Sequence, residues 1–212
     1  WSNRCSKAKI SWSWKTLIGK ILGRMNNLLQ FLFTTLIDFV ILILLLRVFS
    51  AYWISVNNQI HRSIILMTDS ILKPLSGSIN NKTFTYLIVG LCLLIKFFAL
   101  WVMTQFSCIV APNLIQLIGL SVGSLIHFVL NIFFFAIIAH VIFSWILSNQ
   151  HNSFSDFIRQ LVVPLLNPIQ KRLPYPAGLD FSPFIAIVVI QSIKLIIPLH
   201  EFTNNVVCIN LN

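Results

Sequence analysis

LLQFLFTTLIDFVILILLL, residues 28–46, is an apolar run broken near its middle by one acid, Asp38, and stopped by Arg47. A bilayer core about 30 Å thick needs about 20 mostly apolar residues in helix. This stretch meets that need, and it has no polar face to turn toward water. The whole chain agrees with it: of 212 residues 57% are hydrophobic and 9% charged, against about 25% charged in soluble domains. A soluble domain of this length could not hide so much apolar surface, so the class is an all-α integral membrane protein.

Three further stretches follow. FTYLIVGLCLLIKFFALWVM (84–103) is a second span. The apolar region from Phe106 to Leu147 holds a third, placed at 123–147, with 106–122 left as a Pro-broken apolar link able to dip into the membrane. SPFIAIVVIQSIKLIIPL (182–199) is the fourth. Arg47, Arg62, Lys73 and Lys82 follow span one, and Arg159, Lys171 and Arg172 follow span three, whereas the link after span two carries no Lys or Arg. Four spans with both termini outside put these basic loops on the inner side. The six cations Arg4, Lys7, Lys9, Lys15, Lys20 and Arg24 contradict that arrangement. Residues 1–24 therefore read as a basic leader of upstream translated sequence, with a basic amphipathic helix on the inner surface as the alternative.

Each basic loop holds an amphipathic stretch. In SFSDFIRQLVVPLLNPIQKRLP (153–174), Phe154, Phe157, Ile158, Leu161, Val162, Leu165, Leu166 and Ile169 recur at three and four, one helical face. Arg159, Gln160, Asn167, Gln170 and Lys171 fill the rest. Pro164 and Pro168 are expected to break or kink this helix. In the first loop Ile64, Met67, Ile71, Leu72 and Leu75 do the same. Both helices should lie in the inner interface with cations toward anionic lipid headgroups. At one constant offset Ser50 matches Ser144, and ILKPL (71–75) matches LLNPI (165–169). Two parallel repeats result, 25–105 and 123–199, followed by a short tail, 200–212. Between surface helix and last span, Pro174, Pro176 and Gly178 turn the chain back to the membrane. Ser182 is expected as N-cap and Pro183 as the first helical residue. Asp180 sits ahead of that positive helix end, near Lys171 and Arg172.

VPLLNPIQKRLPYPAGLDFSPFIAIVVIQ, preceded by HVIFSWIL, resembles the second repeat of the YggT (YlmG) family, and LLLRVFSAYW resembles its first. The resemblance covers Met25 to Asn212 and makes Met25 the natural start. Its signature is Pro164, Pro168, Arg172, Pro174, Gly178, Asp180, Ser182 and Pro183. The first half departs from it, with Lys82 where Asp180 would align and no proline at Thr85. The family implies a multi-pass protein of the bacterial inner membrane, or of the plastid thylakoid. Its members are linked loosely to osmotic or ion tolerance, to cell division and nucleoid distribution, and in plastids to haem attachment. It implies no catalytic residue.

Ionisable groups within spans need partners, because each costs at least about 2.5–3.5 kcal/mol on insertion scales. Asp38, Lys96 and Lys194 are such groups: either Asp38 pairs with a lysine, packing the spans or lining an ion path, or the lysines snorkel outward. On span three Ser124, His127 and Asn131 form one stripe, with His140 and Ser144 on nearly the opposite one. These five read as interhelical hydrogen-bonding residues, and His61, His151 and His200 as loop or interface residues. Trp53, Trp101 and Trp145 read as interface anchors, and Cys92 as a small packing residue. No H-E-x-x-H, G-x-S-x-G, Walker loop or zinc-type cysteine spacing occurs. The expectation is a non-enzymatic protein without cofactor or metal, with no nucleic-acid partner, acting as an assembly or scaffold factor on membrane-protein partners. The alternative is an ion or osmolyte conduit built from several copies of the chain.

Overall fold

A computed structural model describes residues 2–55, 58–76, 81–107, 113–146, 152–172 and 181–197; within them, side chains are described except at 2–27, 70–71, 73–76, 81–82 and 105–107. The described elements are all helices: α1 (Ser2–Trp53), α2 (Gln59–Ser76), α3 (Asn81–Ser107), α4 (Leu114–Ile146), α5 (Ser153–Gln170) and α6 (Ser182–Ile196). Two compact units divide the chain, Trp1–Phe39 and Val40–Asn212.

In the first unit, Leu28, Leu29, Phe31, Leu32, Leu36 and Phe39 are exposed, as lipid-facing side chains would be. Thr34 and Thr35 bend their hydroxyls back onto the Gln30 and Phe31 carbonyls at 2.9 and 2.7 Å, leaving no donor toward hydrocarbon.

The second unit is built around α4, which packs against α3, α5 and α6, while α5 also packs against α6 and α2. Its core joins Phe133, Ala136 and Ile137 of α4 to Phe157, Ile158, Leu161, Val162 and Leu166 of α5 and to Ala186 and Ile190 of α6. The α5 residues form the single stripe that their spacing predicts. Phe154, expected on that stripe, is instead 46% exposed, and Met67 of α2 is 71% exposed.

Among the described residues three helices are long and apolar enough to cross a membrane: Leu28–Trp53, Thr83–Thr104 and Leu114–Ile146. α6 is apolar but has 15 residues, about 22 Å at 1.5 Å per residue. It stops short of the expected 199 because Ile197 precedes Pro198, and a residue before proline is driven out of the α region. Ile197 has φ −99° and ψ 85°, though its N–H still reaches Ile193 O.

Three local expectations are corrected. α4 starts at Leu114, so most of 106–122 is not a broken link; Asn113 N–H is taken by Gln116 Oε1 at 3.1 Å while Leu117 N–H bonds Asn113 O at 3.0 Å, the reach-back of a capping box. α5 runs unbroken through Pro164 and Pro168. An interior proline costs about 3 kcal/mol, but both lie off the stripe whose five buried side chains contribute about 1.5–3 kcal/mol each. Finally, Ser182 is the first residue of α6 and not its cap: Phe181 holds that position, with no side-chain cap bond, because its carbonyl accepts from Ile185 N–H at 3.2 Å. Ser182 is buried in the packing, at 1% exposure.

The two amphipathic helices α2 and α5 begin alike. Asn58 Oδ1 accepts from Ile60 N–H at 2.9 Å and Asn152 Oδ1 from Phe154 N–H at 3.1 Å. These caps stand at the same offset as the first and last residues of α2 and α5. Asn58 also donates from Nδ2 to Ser153 O at 3.1 Å, and Ser55 N–H donates to Gln160 Oε1 at 2.7 Å, so polar bonds clasp α2 and the end of α1 to α5.

Candidate functional site

Arg47 lies six residues before the end of α1, where the apolar run gives way to small and polar residues. Its Nη2 is 2.6 Å from Asp69 Oδ1 of α2. Nη1 donates to Ile65 O at 3.1 Å and to Thr68 Oγ1. The guanidinium also sits 5.5 Å from the Phe84 ring centroid of α3. One cation thus joins three helices, and the fork of a guanidinium is suited to that. Thr68 is itself buried and turns its hydroxyl to Ile64 O at 2.7 Å.

Beside this lock is a cavity of about 330 Å³ lined by Arg47, Ser50, His61, Ile65, Phe84 and Ile88, among others. His61 is buried on α2 rather than lying in a loop, and its Nδ1 has no hydrogen-bond partner among the described residues. A buried polar atom left so costs about 1–3 kcal/mol. Ser50, fully buried, is satisfied through Arg47 O at 2.9 Å.

The second constellation lies between α6 and α4. Lys194, in the last turn of α6, donates from Nζ to Asn131 Oδ1 at 2.7 Å and lies 5.6 Å from the Phe134 ring centroid. Asn131 Nδ2 is 3.4 Å from His127 Nδ1. The expected stripe of His127 and Asn131 is therefore engaged by the lysine in one polar line. Lys194 is half-buried, and its acceptor lies on the neighbouring α4. Lys96 of α3 has its Nζ 5.2 Å from the Phe128 ring centroid of α4, a cation–π contact that strengthens on desolvation. Asp38 is half-buried on α1, within the unit Trp1–Phe39.

A third constellation flanks α5. His140 and Ser144, from the last turns of α4, line a notch of about 520 Å³ with Ser155, Arg159, Asn167 and Gln170. Pro164 borders a neighbouring groove with Tyr52, Trp53 and Asp156. Pro168 and Arg172 line a depression that reaches Ile185. Pro183 is buried in the first turn of α6. Pro174, Gly178 and Asp180 lie outside the described residues, as do His151 and His200. Cys92 is buried and free. Among the described residues no group of His, Cys, Asp and Glu is placed to hold a metal ion.

Asp69 and Thr68 were not singled out by sequence reasoning. The signal was present, an acid five residues before the Pro74 of the amphipathic helix, but its partner lies on another helix.

Residues 119–199 match the family model described as CCB3/YggT. That stretch holds α4 from Gly119, all of α5 and all of α6, and so both the Lys194–Asn131 bond and the Arg159 notch. The chain is 34% identical over 84 residues to the uncharacterized protein PA0392 of Pseudomonas aeruginosa, covering 40% of this chain and 43% of that protein. It is 28% identical over 177 residues to the uncharacterized protein YggT of Escherichia coli K12, covering 80% of this chain and 88% of that protein. The match thus spans less than half of the first relative and most of the second. No solved structure matches the chain.

Proposed function

Given that this chain belongs to the CCB3/YggT family, we propose that it is a non-enzymatic, multi-pass protein of the bacterial inner membrane that acts as an assembly or scaffold factor for other membrane proteins. The observation that carries this reading is the clasp of the two amphipathic helices. Through Asn58, Ser153, Ser55 and Gln160, α2 and α5 form one platform. It presents exposed Leu66, Met67, Phe154 and Val163 beside exposed Arg62 and Arg159. Apolar side chains interleaved with arginine suit a protein contact at the membrane surface.

In this reading the chain crosses four times in two parallel repeats, with α6 as a short fourth span to which the bilayer thins. The equal offsets of the Asn58 and Asn152 caps and of the α2 and α5 bounds support the duplication. The cations of both basic loops then share the inner side with the platform. A second reading, an oligomeric ion or osmolyte conduit, draws on the polar line Lys194–Asn131–His127 inside the helix pair.

Photo-crosslinking side chains placed at Leu66 and Met67, compared with one at Leu195 on the exposed side of α6, test the first reading in native membranes. Discrete protein adducts from the α2 positions and lipid adducts from position 195 are expected. Lipid adducts alone from all three would overturn it. Ion flux through proteoliposomes of the pure protein, abolished by Asn131→Leu, would establish the conduit in its place.

A further inference from the structure

The amphipathic helices α2 and α5 carry corresponding notches, and among the described residues only one of them holds an ion pair. At the offset that relates α2 to α5, Ser50 corresponds to Ser144 and His61 to Ser155, and these line the first and second notch respectively. The cations differ in origin. In the first notch Arg47 comes from α1 and is held by Asp69 and Thr68. In the second the cation is Arg159 of α5, at the place of Ile65, and the place of Asp69 is taken by Val163. Among the described residues no carboxylate lies within ion-pairing distance of Arg159. Asp156, one turn back, shares with it the groove beside Tyr52 and Trp53 but does not line the notch.

The surroundings of Arg159 suit an anion with several oxygens. Ser144, Ser155 and Asn167 ring the notch with hydroxyl and amide groups able to donate to several oxygens of one ligand. Phe143, standing edge-on to Phe154 at 5.5 Å between ring centroids, supplies an apolar rim. The site lies where the last turns of a long apolar helix meet the amphipathic helix α5, with Lys171 and Arg172 just beyond it. There headgroups are abundant, and basic pockets between helices take up anionic lipids. At about 520 Å³ the notch is within the size of ordinary small-ligand sites. A water-soluble anion has no use for the aromatic rim, whereas a phosphodiester with acyl chains uses both parts.

We propose that the notch between α4 and α5 is a binding site for one anionic phospholipid, its phosphate held by Arg159 with Ser144, Ser155 and Asn167, and its acyl chains leaving past Phe143 and Phe154. The site shares Arg159, Phe154 and Val163 with the platform, and its test reads lipid retention by the purified chain with no protein partner present.

Native mass spectrometry of the full-length chain in detergent, titrated with phosphatidylglycerol or phosphatidylcholine, tests it. The chain should retain phosphatidylglycerol selectively, in a single high-affinity step. Arg159→Gln should weaken that step about tenfold, as loss of a charge-assisted hydrogen bond does. Val163→Asp, which supplies the carboxylate that the first notch already has, should abolish selectivity while leaving the arginine in place. Lys171→Gln, an exposed cation just past α5 and outside the notch lining, should change nothing. Equal retention of both lipids, equal weakening by Lys171→Gln and Arg159→Gln, or displacement of the lipid by millimolar inorganic phosphate would each overturn the proposal. Arg159→Gln decides alone if Val163→Asp does not stay folded and monodisperse.

Discussion

Replacing Asp69 by leucine would strand the cation that joins α1, α2 and α3. The Arg47 and Asp69 side chains are 14% and 29% exposed. Removing one partner of a fully buried pair costs about 3–5 kcal/mol, because the other charge is left uncompensated. Partial exposure and the surviving bonds to Ile65 O and Thr68 Oγ1 reduce this, so about 2 kcal/mol is expected. That is a factor of about 30 in the ratio of folded to unfolded protein. Adding Arg47→Leu should restore at least about 1 kcal/mol of it, since an apolar pair carries no desolvation penalty. Reversible unfolding in mixed micelles, followed by tryptophan fluorescence, measures both variants and yields the coupling. A loss under about 0.5 kcal/mol for Asp69→Leu, or a coupling within about 0.5 kcal/mol of zero, refutes the claim that this ion pair holds the three helices.

Two further outcomes concern the caps and the α6 lysine. Asn152→Ala should cost about 1 kcal/mol as a lost N-cap, while Asn58→Ala should cost about twice that because the bond to Ser153 O goes too. Amide hydrogen exchange in the first turns of α2 and α5 reads the difference, and equal losses would contradict the clasp. Asn131→Leu leaves the Lys194 ammonium without its acceptor and should lower bundle stability by about 2 kcal/mol, whereas Lys194→Met removes the charge as well and should be milder. The reverse order in the micelle assay would mean that Lys194 reaches the bilayer surface.

Span two was legible almost to the residue, 84–103 against Thr83–Thr104, because a helix surrounded by lipid is written as one continuous apolar run. α5 was legible because one buried stripe needs regular spacing. Its continuity was not: whether Pro164 and Pro168 interrupt a helix depends on what the opposite face buries, and that face is assembled from α4 and α6. The α4 start is a different case. Asn113 and Gln116 stood at capping-box spacing, yet Pro112 and the surrounding apolar residues suggested a break. For the candidate site, the intramembrane polar residues were visible as exceptions to the apolar pattern, but their partners were not. Arg47 meets Asp69 and Lys194 meets Asn131 only because separate helices pack side by side, and charge spacing along one chain does not encode that.

The Arg47 lock also fixes how deep α1 sits. A guanidinium tied at once to Asp69, Thr68 and the Ile65 carbonyl of the amphipathic helix α2 cannot shift along the bilayer normal unless α2 follows. α4 has no such stop: its 33 residues, about 50 Å of helix, contain no Lys, Arg, Asp or Glu. With no charge of its own to set its level, α4 takes its depth from the helices packed on it, α3, α5 and α6, so a change in bilayer thickness reaches it through the amphipathic helix α5.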